Sequence, residues 1–197
     1  MQTTNSYSLE KDIESVLISE QQIREMTDRL AADISKAYQS TIEEGRKLVL
    51  LTILKGSVLF SAELVKKITI PAELEFMKVS SYGAGTKTSG EIRIHLDLLR
   101  DDLPNLDILV IEDIVDSGRT LFRLTQMLRN RGAHSVKTVT MLDKPSRREV
   151  QFVPDFCGFQ IPDKFVVGYG LDYNEEYRTL PFVGVLKPEI YAPKQTP

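Results

Sequence analysis

The sequence predicts an α/β fold, a mainly parallel sheet flanked by helices, with residues 1–197 forming a single domain. Three observations predict it. Short apolar runs such as Leu48–Leu54 and Ile108–Ile111 read as strands buried on both faces. Stretches with helical periodicity separate those runs, which is the spacing of parallel crossover units. The run Ile108–Ile111 leads into Glu112, Asp113 and Asp116 and then into a helix, so it carries polar residues to the carboxyl edge of an open sheet, where ligands of such folds sit.

The elements follow in order. Ile13–Ile18 reads as a short strand. Ser19 with Gln22 three residues on is a capping-box pattern, and Ile23, Met26, Leu30, Ile34 and Ala37 recur at helical spacing. Ser19–Gln39 is therefore expected to be an amphipathic helix. Gly45 and Arg46 mark a turn before the strand Leu48–Leu54. A helix over Ser57–Lys67 follows, with Val58, Ala62 and Val65 expected to face inward. Pro71 breaks the chain, Leu74–Val79 reads as a strand, Ser80–Gly90 as a polar glycine-bearing loop, and Ile92–His95 as a strand leading back. The helix Thr120–Arg131 places Leu121, Leu124 and Leu128 on one face and stops at Gly132. Val136–Leu142, Phe165–Val167 and Val183–Leu186 read as the later strands.

The chain is long enough for one substantial core at 197 residues, and 42% apolar with 27% charged residues is an ordinary soluble balance. A net charge of −3 gives no sign of nucleic-acid or anionic-membrane binding, so any affinity for phosphate must be local. With one cysteine, Cys157, no intrachain disulfide can form, which fits a cytoplasmic protein. Cys157 itself is expected to be a small core residue. Met1–Ser8 is polar and does not read as a signal peptide, and Leu48–Leu54 is far too short to cross a bilayer.

Four constellations carry chemistry. Backbone N–H groups at the start of a helix bind phosphate, so Asp116, Ser117, Gly118, Arg119 and Thr120 form a candidate phosphate loop, with Thr120 able to cap the helix. Glu112 and Asp113 beside it suit the hydroxyls of a sugar. Leu54-Lys55-Gly56-Ser57 is a second strand-to-helix turn able to cradle an anion, although taken alone it reads equally as a plain connector. Gly85 and Gly90 have P-loop spacing, but Glu91-Ile92 stands where a lysine and a hydroxyl residue are required, which excludes nucleoside triphosphate binding of that kind. Lys144 follows the strand Val136–Leu142 and so reaches the same sheet edge. The only histidines are His95 and His134, which argues against a histidine metal site.

Ile108–Thr120 resembles the 5-phosphoribosyl pyrophosphate (PRPP) motif of type I phosphoribosyltransferases. Asp163–Arg178 resembles the C-terminal part of the hypoxanthine-guanine members, and the likeness runs from about Val16 to Tyr191. The resemblance implies a small base-binding hood made by the terminal segments, and transfer of the phosphoribosyl group of PRPP to a 6-oxopurine with magnesium. It implies that Lys55, Gly56 and Arg178 bind pyrophosphate, with a cis Leu54–Lys55 peptide bond, and that Ser81 and Tyr82 belong to a lid. It implies that Lys144 donates to the purine 6-oxygen, Phe165 stacks on the ring and backbone groups of Val166 meet its edge. Asp172 would hold magnesium, with Glu112 and Asp113 reaching it through the ribose hydroxyls, and Asp116 would take the proton from purine N7. A homodimer or homotetramer is implied as well. A xanthine-preferring relative, or an RNA-binding pyrimidine-operon regulator of the same fold, would share most of these residues.

Overall fold

The computed structural model describes residues 8–81 and 92–192. Its main sheet has six strands in the order β4-β3-β2-β5-β6-β7. They are β2 (Lys47–Ile53), β3 (Glu73–Ser81), β4 (Ile92–Leu96), β5 (Leu106–Val115), β6 (Ser135–Asp143) and β7 (Phe156–Gln160). Every neighbouring pair is parallel except β3 and β4, which run antiparallel. Strand β1 (Ile13–Ile18) pairs antiparallel with β9 (Val183–Leu186), and β9 with β8 (Val166–Val167), so the two ends of the chain build a separate three-stranded hood.

Both faces of the central strands of the main sheet are covered, as parallel strands require. Helix α1 (Glu20–Ala37) and α3 (Val58–Val65) lie on one face, where Ile23, Leu30, Phe60 and Leu64 meet Leu48, Leu50, Leu109 and Ile111. Helix α4 (Arg119–Asn130) covers the other with Leu121, Leu124 and Leu128 against Val49, Leu51 and Val110. Short helices α2 (Gln39–Glu43) and α5 (Pro188–Tyr191) complete the described chain. The capping box forms as expected: the Ser19 N–H donates to Gln22 Oε1 at 2.9 Å, and the Gln22 N–H to Ser19 Oγ at 3.3 Å. No helix among the described residues is long and apolar enough to cross a membrane.

Four expectations need correction. In α3 the buried residues are Phe60, Ser61 and Leu64, while Val58 is 40% exposed, Ala62 is exposed and Val65 only half-buried. The segment is apolar almost all round, so its sequence pattern carries no direction. Glu112 and Asp113 do not lie beyond a strand; β5 runs through them to Val115. Thr120 does not cap α4, whose N-cap is Gly118 at φ +80°. Cys157 lies half-buried in the edge strand β7, an element the sequence pattern did not single out.

Candidate active site

Strands β2 and β5 pair from Lys47↔Leu106 to Thr52↔Ile111, one residue before β2 ends at Ile53. Strand β5 continues, paired with β6 alone, from Glu112↔Thr140 to Val115↔Asp143. Both acids therefore stand at the sheet's carboxyl edge, on the part of β5 that runs past the end of its pairing with β2. The turn after β2 is Leu54–Ser57, and its Leu54–Lys55 peptide bond is cis. Gly56 is obligatory in it: a Cβ there would lie 1.6 Å from Asp113 Oδ2. A Cβ on Gly170, at φ +101°, would lie 1.9 Å from the Gly56 carbonyl oxygen. Backbone from the hood, the turn and the acid of β5 are thus packed directly on one another, which fixes their spacing.

Two clefts open here. One, of about 590 Å³, is lined by Asp116, Lys144, Arg147, Asp163, Phe165 and Val166 among others. The second, of about 330 Å³, is lined by Lys55, Gly56, Glu112, Thr120 and Arg178 among others. Asp113 and Asp172 line both and mark where the clefts meet. Ser117 and Gly118 lead into α4 and Arg119 opens it, between Asp116, which lines the larger cleft, and Thr120, which lines the smaller; none of the three lines either cleft itself. The Arg119 N–H faces Ser117 Oγ at 3.4 Å, and its guanidinium pairs with Glu149 at 2.5 Å. Ser81 closes β3, and Tyr82 lies outside the described residues.

In the larger cleft Lys144 is buried, 8% exposed, and its Nζ lies 3.9 Å from Asp163 Oδ1. Arg147 reaches Asp163 at 3.7 Å and donates from Nε to Asp116 Oδ1 at 3.2 Å. A chain of alternating charge, Asp116–Arg147–Asp163–Lys144, runs along one wall. Arg148 ties the loop down, donating to the Asp116 carbonyl oxygen at 2.5 Å and pairing with buried Asp143. Phe165, 37% exposed, stacks on Tyr191 with ring centroids 4.6 Å apart and meets Tyr173 edge-on. Arg147, Arg148, Asp163 and Tyr191 were not given roles from the sequence. The two arginines close behind Lys144 were the one signal that could have pointed to them.

In the smaller cleft Arg178 donates to the Gly170 carbonyl oxygen at 2.7 Å and pairs with Asp172 at 2.8 Å. Its Nε is buried without a hydrogen-bond partner, as is Glu112 Oε2. Burial, and then the charge of Asp113, push the Glu112 carboxyl well above its usual range. Burial also raises Asp113, to about 6, against the pull of the Ile114 N–H and of Arg178. Lys55 and then Arg178 hold the Glu175 carboxyl below its usual range.

Residues 20–174 match the family model described as "Phosphoribosyl transferase domain". The chain is 52% identical over 184 residues to the hypoxanthine-guanine phosphoribosyltransferase of Lactococcus lactis subsp. lactis, covering 93% of this chain and 97% of that protein. This chain belongs to the hypoxanthine-guanine phosphoribosyltransferase family. The Bacillus subtilis enzyme of that name is 49% identical over 183 residues, covering 93% of this chain and 98% of that protein. A crystal structure of a hypoxanthine phosphoribosyltransferase from Staphylococcus aureus superposes with a TM-score of 0.87 at 43% identity, covering 96% of this chain and all of that one. A Trypanosoma cruzi hypoxanthine phosphoribosyltransferase in a ternary substrates complex superposes at 0.85 with 39% identity, covering 92% of this chain and 100% of that one.

Proposed function

We propose that the chain transfers the 5-phosphoribosyl group of PRPP to hypoxanthine or guanine, giving IMP or GMP and pyrophosphate in purine salvage, as one cytoplasmic phosphoribosyltransferase domain. The observation that carries this reading is the pair of clefts meeting at Asp113 and Asp172. A ribose at that junction reaches a base on one side and pyrophosphate on the other. Exposed Leu74 and Phe76 on β3 support self-association into the homodimer or homotetramer of this reading.

In this mechanism the bond from ribosyl C1 to pyrophosphate breaks as purine N9 attacks, and C1 passes through an oxocarbenium-like state. Amides of the Lys55–Ser57 turn and the Arg178 guanidinium meet the leaving charge. Amides of Ser117–Thr120 hold the 5-phosphate at the start of α4. The Glu112 and Asp113 carboxylates accept from the ribose hydroxyls, which supply the donors that Glu112 Oε2 lacks. Asp116 takes the N7 proton, and Arg147 fixes its carboxylate at 3.2 Å. Phe165 lies along the ring and Val166 backbone meets the base edge.

Magnesium fits this donor set. Asp172 lines both clefts and would be its protein ligand, with Asp113 and Glu112 nearby and the remaining ligands supplied by substrate oxygens. When bound, it neutralises charge on the leaving pyrophosphate.

Lys144 sets the base class. Its ammonium has three donors and no acceptor, so it serves a 6-oxygen and opposes a 6-amino group donor to donor. Turnover of PRPP with hypoxanthine, guanine, xanthine, adenine and uracil is the test. Activity with hypoxanthine or guanine should exceed that with adenine by roughly 10⁴-fold, because an unpaired buried polar group is that costly to leave. Lys144→Gln should weaken hypoxanthine use and narrow the gap. Equal turnover of adenine and hypoxanthine by the parent would defeat the reading.

A further inference from the structure

Lys55 comes from the turn after β2 and Arg178 from the hood, and they face each other across the smaller cleft. Between them stands Glu175. Its Oε2 accepts from Lys55 Nζ at 2.8 Å and from Arg178 Nη2 at 3.3 Å, so a single carboxylate oxygen engages both cations. The segment is built to present it. Asp172 Oδ2 accepts the Glu175 N–H at 3.0 Å, and Asn174 and Glu175 hold φ +50° and +66°, left-handed conformations that side chains other than glycine seldom adopt. An anionic oxygen held by a lysine and an arginine is what one pyrophosphate oxygen would be in the same place.

We infer that Glu175 is an internal competitor for the pyrophosphate subsite: its carboxylate holds Lys55 and Arg178 until pyrophosphate or the pyrophosphate end of PRPP displaces it. The inference rests on the assignment of this cleft to pyrophosphate. It gives the site a way to release a highly charged product, because the two cations have an intramolecular anion to return to. Lys55 and Glu175 are 52% and 64% exposed, so the pairs are weak enough to exchange. The alternative, that Glu175 aligns the cations for the ligand, predicts an effect of opposite sign.

Binding of inorganic pyrophosphate with magnesium to the full chain is measured by calorimetry, alongside KM for PRPP. Glu175→Gln should bind pyrophosphate about three- to tenfold tighter, as expected for removing one competing charge from a solvent-exposed site, and lower KM for PRPP in the same direction. The gap should shrink as ionic strength rises, since these charges are screened. Glu175→Asn, which removes the charge and suits the left-handed backbone, should behave alike. Glu176, next in the chain, is exposed and outside these pairs, so Glu176→Gln should change affinity by less than about twofold. Unchanged or weakened binding in Glu175→Gln overturns the inference, and so does an equal gain in Glu176→Gln. A parent that neither binds pyrophosphate nor consumes PRPP overturns the assignment of the cleft, and the inference with it.

Discussion

Asp107 stands at the start of β5, and Glu112 and Asp113 stand near its end, so one strand carries acids at both edges of the sheet, the first buried and the other two half-buried. Asp107 is 3% exposed and accepts from Thr41 Oγ1 at 2.7 Å, Arg46 Nε at 3.0 Å, His134 Nδ1 at 2.9 Å and the Ser135 hydroxyl. Burial alone would raise its pKa, but hydrogen bonds from Ser135, His134, Thr41 and Arg46 outweigh it and hold the carboxyl far below the usual range. At the other edge Asp113 accepts its neighbour's N–H from Ile114 at 2.7 Å, and Glu112 Oε2 has no partner. The same chemical group is saturated where it joins β5 to α2, to the start of β6 and to the turns that precede β2 and β6, and left short of donors where a ligand can supply them. Stability is concentrated at the amino edge and binding capacity at the carboxyl edge.

Substitution on each side should separate the two. The largest effect is expected at the carboxyl edge, where Asp116→Asn should lower kcat with hypoxanthine by about 10²- to 10⁴-fold, the usual worth of a positioned general base. Asp116 is 48% exposed on its side chain, so Tm and PRPP affinity should stay near the parent's. A variant within a few-fold of parental turnover would remove Asp116 from the proton transfer. Next in size, Asp107→Asn should cost about 2–4 kcal/mol of unfolding free energy, because it leaves buried donors and the Arg46 charge without their acceptor. Its turnover per folded molecule should match the parent's. Urea titration beside an activity assay reads both quantities. A large loss of kcat with stability intact would break the division between the two edges.

Much of this was readable in the residues, and what was not has a physical reason. β1 and β9 fall on Ile13–Ile18 and Val183–Leu186, the expected bounds, and the Ser19–Gln22 box forms, because strand composition and capping are local. Helix α3 was read on the wrong face because Val58-Leu59-Phe60 offers no polar side to orient it. The end of β5 was placed too early because acids are poor strand formers, yet ladder pairing with β6 carries Glu112 and Asp113 onward. The proposed site residues were legible as a motif in order along the chain. The Asp116–Arg147–Asp163–Lys144 chain and the Lys55–Glu175–Arg178 bridge were not, since each joins residues that only the tertiary fold brings together.

The smallest expected effect is the one that tests the comparison most directly, because the two edges of β5 should respond to pH with opposite sign. Asp107 has a depressed folded pKa, so its contribution is fully present above the unfolded value of about 4 and is lost as pH falls below it. Glu112 and Asp113 have raised folded pKa values, about 6 for Asp113, so at neutral pH their ionisation opposes folding. That opposition is relieved as pH falls through the folded value toward the unfolded one. The free enzyme should therefore gain stability between pH 7 and about 5 and lose it below about 4. Glu112→Gln removes one of the two titrating carboxyls. It should raise stability at pH 7 and flatten the rise between pH 7 and 5, with little change on the acid limb governed by Asp107. Urea midpoints for parent and variant at closely spaced pH values measure this. Parallel profiles across pH 5–7 would show that the carboxyl-edge pair is not held at a cost to the fold.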